Sequence, residues 1–92
     1  MIRSFRNRDA EALFQGYPTR RFQNIARVAQ RKLAQLNAAQ RLDDRRAFPG
    51  NQLEAPSGDR RGQHSIRIND QYRICFVWKD GDALQVEVVD YH

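Results

Sequence analysis

The stretch from His64 to Val89 constrains the fold more than any other part of the chain. His64, Ile66 and Ile68 alternate with Ser65, Arg67 and Asn69. Tyr72, Ile74, Phe76 and Trp78 then alternate with Arg73, Cys75, Val77 and Lys79, and Leu84, Val86 and Val88 with Gln85, Glu87 and Val89. A period of two is the signature of a half-buried strand. Asp80-Gly81 tolerates the positive φ angles of a two-residue hairpin, so the second and third runs are predicted to be antiparallel neighbours. Asn69-Asp70-Gln71 is the turn before them. A three-residue turn there sets Ile66 against Ile74, His64 against Phe76 and Arg67 against Arg73. The middle run is apolar on both faces beyond Arg73, which makes it central.

The N-terminal half has a different period. Met1 to Arg6 alternates as a short first strand would. Asp9 to Gln15 reads as a helix that Asn7 or Asp9 caps and Gly16 ends. Pro18 biases Tyr17 away from helix. From Thr19 to about Ala39, Phe22, Ile25, Ala29, Leu33 and Leu36 form one stripe, with Val28 at its edge, as on a core-facing helix. Phe48 to Gly62 is rich in turn formers, and so long a loop in a small domain usually carries function. These elements predict one α+β domain over residues 1–92: an N-terminal strand and two helices packed on a small antiparallel sheet.

Charge narrows the partners. The chain carries 16 basic and 11 acidic residues, net +5, and only Lys32 and Lys79 of the 16 are lysines. Residues 1–46 hold 11 basic and 4 acidic groups, and residues 47–92 hold 5 and 7. Arginine's planar fork suits bidentate contact with phosphate or carboxylate. A basic helical half therefore points to a polyanion or an acidic partner. Cys75 lies in an apolar strand and reads as a small buried hydrophobe, which fits a reducing cytosol. No run approaches a membrane span, and the first six residues do not form a signal peptide. Two histidines 28 residues apart and a lone cysteine give no metal-ligand spacing.

Ser57-Gly58-Asp59-Arg60, Ser65-Ile66-Arg67-Ile68-Asn69, Gln71-Tyr72-Arg73-Ile74-Cys75-Phe76 and the terminal Val88-Val89-Asp90-Tyr91-His92 follow one another in order. Together with Met1-Ile2-Arg3-Ser4-Phe5, they resemble the HigB branch of the RelE-like toxins over nearly the whole chain. The resemblance implies the RelE-like microbial RNase fold and a cytoplasmic, ribosome-dependent mRNA endonuclease that needs no metal or other cofactor. It also implies a cognate helix-turn-helix antitoxin of the HigA kind, and contact with operator DNA only through the toxin–antitoxin complex.

Metal-free RNA cleavage needs a base for the ribose 2′-hydroxyl, positive charge at the phosphate and an acid for the leaving 5′-oxygen. Arg73 supplies fixed charge. Asp90, His92 or Glu54 supplies a base, and Tyr91 hydrogen-bonds or stacks on a base of the RNA. Arg60, Arg61, Arg67 and Ser57 are the candidates for binding RNA. Toxins of this branch often have a histidine and a lysine where Glu54 and Ser57 stand. A missing charge-assisted contact costs on the order of 3 kcal/mol, about a hundredfold, so cleavage is expected to be slow and the toxin mild. Two other readings share the charge and the fold: a module that occupies RNA or the ribosome without cutting, and a protein-interaction domain whose arginines meet an acidic partner.

Overall fold

In a computed structural model of the chain, the structure describes residues 1–17, 19–42, 53–54 and 63–90. The alternating block folds into the expected antiparallel sheet: β2 (Gln63–Arg67), β3 (Tyr72–Lys79) and β4 (Asp82–Asp90). A two-residue strand, β1 (Leu53–Glu54), pairs outside β2, so the order is β1-β2-β3-β4. This fourth strand is an addition to the three expected. It falls inside the turn-rich stretch, where two residues carry no readable period.

The register follows the alternation. Ile66 lies opposite Ile74, His64 opposite Phe76 and Arg67 opposite Arg73. Asn69 makes the turn: its Oδ1 accepts from the backbone N–H groups of Gln71 and Tyr72, each at 2.8 Å. Asp80 and Gly81 have φ of 53° and 82°, the left-handed pair that a two-residue hairpin demands.

The helices cover one face of this sheet. Helix α1 (Arg8–Gln15) begins as its sequence predicts, with Asn7 Oδ1 accepting from Ala10 N–H at 2.9 Å, and ends at Gly16 with φ 88°. Helix α2 (Ala26–Ala38) starts later than Thr19, after a 3-10 turn at Gln23–Ile25. Thr19 lies before that turn, buried, with no hydrogen-bond partner for its Oγ1 among the described residues, while the Phe22 ring turns inward to meet the edge of Tyr72 at 5.6 Å. Packing of Phe22 thus overrides a helical start. The expected stripe is intact: Phe22, Ile25, Ala29, Leu33 and Leu36 are all buried, against Ile66, Ile74, Phe76, Val86 and Val88 of the sheet.

Two corrections share one cause. The sequence predicts a strand over Met1–Arg6, and unbroken alternation through β4. The structure has instead two parallel bridges, Ile2 to Ala83 and Phe5 to Val86. Between Cys75 and Val77 the β3–β4 register shifts by one, and Gln85 takes φ 53°. This is a β-bulge, with one extra residue on β4. It places Ala83 and Val86, three apart, on the same buried side, and turns Leu84 to the other face. The N-terminal segment matches that spacing. Gln85 N–H donates to Ser4 Oγ and Val86 N–H to Ser4 O, at 2.9 and 3.0 Å, so Ile2 and Phe5 both reach the core. A ladder interrupted in this way is not a continuous strand.

Candidate functional site

The face of the sheet turned away from the helices is built from the alternate residues. Two cross-strand rows run over it. One contains Arg67, Arg73 and Val89; the other contains Ser65, Cys75 and Glu87, with Glu54 at the register position opposite Ser65. Directly opposed arginines repel one another unless something offsets them. Arg67, which is exposed, has an ion pair with Asp70 in the turn beside it. Arg73 is half-buried, and its Nη1 donates to Ser65 Oγ at 2.9 Å. Ser65 and the Cys75 opposite it are both only 1% exposed. Glu87 sits at 13% exposure, with its carboxylate 3.6 Å from Arg6 Nε.

More positive charge stands at the helices. Arg20, Arg21, Arg27 and Arg31 are exposed, and Arg21 lies over the Phe22 ring at 5.1 Å. The ammonium of Lys32 on α2 is held below its ordinary pKa. Partial burial is the main cause, followed by the charges of Arg31 and then Arg67. Lys32 on α2 therefore lies near enough to Arg67, at the end of β2, to feel its charge.

The structure brings some of the expected site residues together and separates another. Arg67 and Arg73 are adjacent. Glu54 is in the neighbouring row by its backbone pairing with Ser65. Asp90 pairs with Tyr72, one step out of phase with Arg73, and so belongs to the helix-side face. Its Oδ2 accepts from Gln71 Nε2 at 3.0 Å. Tyr91, His92, Ser57, Arg60 and Arg61 lie outside the described residues. His64, expected in the core, is only partly buried; it stacks at 5.9 Å on Phe76, and burial lowers its pKa. Ser65 was not legible as a site residue. The signal for it was a small polar side chain in mid-strand, two residues before Arg67.

Among the described residues there is no group of three or more His, Cys, Asp or Glu side chains able to hold a metal ion. None of the described helices is long and apolar enough to cross a membrane.

Comparison with known proteins bears on what this face is for. Over 54 residues the chain is 52% identical to toxin HigB-1 of Vibrio cholerae serotype O1, covering 59% of this chain and 57% of that protein. Over 60 residues it is 32% identical to an uncharacterized protein of Haemophilus influenzae, covering 65% of this chain and 59% of that protein. The chain therefore spans less than two thirds of the length of either relative. Residues 3–92 match a family described as the RelE-like toxin of type II toxin-antitoxin system HigB. That match takes in the strands, both helices and the paired arginines, and with it the chain belongs to the HigB-like family of RelE-like type II toxins.

Proposed function

We propose that this chain is a metal-independent endoribonuclease that cuts mRNA on the translating ribosome, and that the sheet face bearing Arg67 and Arg73 is where it meets RNA. The observation that carries this reading is the opposed arginine pair, built into the sheet of a toxin-family fold. Two cations fixed side by side by a strand register favour a ligand that carries negative charge, and a phosphodiester is such a ligand.

The chemistry is in-line displacement. The ribose 2′-oxygen loses its proton to a base and bonds to phosphorus. The bond from phosphorus to the 5′-oxygen breaks, and an acid protonates that oxygen. Arg73 stabilises the charge that builds on the phosphate oxygens. Register favours Glu54 over Asp90 as the carboxylate base, because Glu54 shares a row with Ser65 and Asp90 is out of phase. His92 is the candidate acid and Tyr91 the candidate base-stacking side chain. Arg60, Arg61 and Ser57 complete the grip on RNA. With Glu54 and Ser57 in place of a histidine and a lysine, the reaction is slow.

Restraint of such a toxin falls to a cognate helix-turn-helix antitoxin. The basic helical surface, on the other side of the sheet from Arg73, is our choice for its docking site, and operator DNA is reached only through that complex. Primer extension on translated mRNA, with wild type and Arg73→Ala, is the decisive experiment. Cuts present with wild type and absent with Arg73→Ala support the reading. Translation arrest without cuts from either protein would replace it with occupancy of the ribosome.

A further inference from the structure

We infer that Ser65 is a positioning residue for Arg73, setting the plane in which the guanidinium meets a phosphate; this rests on reading the Arg67–Arg73 face as the RNA site. Ser65 stands in mid-strand, where an apolar residue would contribute more to stability. Among the described residues only Thr19 and Ser65 are buried polar side chains, at 8% and 1% exposure. Among the described residues the Thr19 hydroxyl has no hydrogen-bond partner. Ser65 Oγ has the guanidinium, at 2.9 Å from Nη1.

This contact is diagonal. Arg73 opposes Arg67, and Ser65 opposes Cys75, so the arginine side chain leans from β3 towards β2 to reach Ser65. A guanidinium presents its N–H donors in one rigid plane. Anchoring one nitrogen on a buried acceptor restricts the last torsions of the side chain, so the charge is oriented before RNA arrives. Such preorganisation is the source of electrostatic catalysis. Misplacing a catalytic group by about 1 Å can cost on the order of a hundredfold.

The test is a double-mutant cycle on the full chain. Ser65→Ala is expected to lower kcat for cutting translated mRNA by about tenfold or more, with the circular dichroism spectrum preserved. In an Arg73→Lys background, which lacks Nη1, the same change should cost less than about twofold. Side-chain nitrogen NMR gives a readout that a merely structural role would not move: rotation about the Arg73 Cζ–Nη bonds should quicken in Ser65→Ala. Wild-type cutting by Ser65→Ala overturns the proposal, and so does an equal loss in both arginine backgrounds. Should the alanine variant melt below the assay temperature, Ser65→Cys keeps the volume but is a weak acceptor, and the same outcomes apply to it. An Arg73→Ala protein that still cuts would sink the reading of the face as the RNA site. The NMR signature would survive that result, so the two failures are distinguishable.

Discussion

The two faces of the sheet are made from the same three long strands, one residue apart, and they obey different rules. On the helix side, Ile66, Ile74, Phe76, Val86 and Val88 are closed over by α1 and α2. Their contribution comes from area removed from water and from close packing, and it tolerates little change of volume. On the other side the strands present two arginines in register, a buried serine, a buried cysteine and a glutamate. Apart from Cys75, that composition is not the one that burial favours: opposed arginines repel unless something offsets them, as Asp70 does for Arg67, and a buried hydroxyl contributes less than a methyl group. One face holds the fold and the other accepts a cost, as expected where a sheet is used as a platform.

Substitutions can break or sharpen that contrast. The largest effect belongs to the packed face. Phe76→Ala should destabilise the chain by about 3–5 kcal/mol, read from urea denaturation, and its loss of toxicity should follow the loss of folded protein. Arg73→Ala should do the reverse. Cleavage should fall by about a hundredfold or more, while stability falls by no more than about 1–3 kcal/mol, the cost of leaving the buried Ser65 hydroxyl without the guanidinium. Destabilisation by Arg73→Ala as large as that of Phe76→Ala would erase the distinction between the faces.

Smaller effects sharpen it. Ser57→Lys places a positive charge just before Gly58-Asp59-Arg60 in the chain and should raise the cleavage rate by about tenfold; an unchanged or lower rate would count against a charge-limited site. The smallest effect is on pH dependence at the helix-side face. Burial holds the His64 pKa below its ordinary 6.5, so the unfolded chain takes up a proton that the folded chain resists. Stability should therefore decline as pH falls below about 6.5. His64→Gln should flatten the dependence of Tm on pH between about 7.5 and 5.5. Parallel curves for the two proteins would show that the ring is not titrating against the fold.

What was legible in the sequence depended on whether a residue's neighbours repeat its signal. Alternation over eight residues, with Asn69-Asp70-Gln71 and Asp80-Gly81 at the ends of β3, is enough to set Arg67 against Arg73 from the sequence alone. The helical stripe from Phe22 to Leu36 was equally plain. The bulge was not, because Gln85 is no better suited to a positive φ than most residues, and the conformation is imposed by the ladder around it. The helix start was missed where the Phe22 ring found a better site in the core. Glu54 was proposed from a resemblance, and its place beside Ser65 follows from a two-residue pairing that has no pattern to read. The parity of Asp90 is legible in the sequence: it continues the alternation of Val86 and Val88, which pairing with Tyr72 puts out of phase with Arg73.

The shared irregularity of β4 and the N-terminal segment has a consequence for length. Removing Gln85 alone would give a regular hairpin, with Val86 still opposite Phe76, but the segment from Ile2 to Phe5 would then be one residue too long for its partner. Phe5 would slip out of step with Phe14, whose ring lies 5.7 Å from it. Removing one residue between Ile2 and Phe5 as well would bring the two stretches back into step. Deletions and insertions at these sites, 81 positions apart in the chain, should therefore be inherited in pairs.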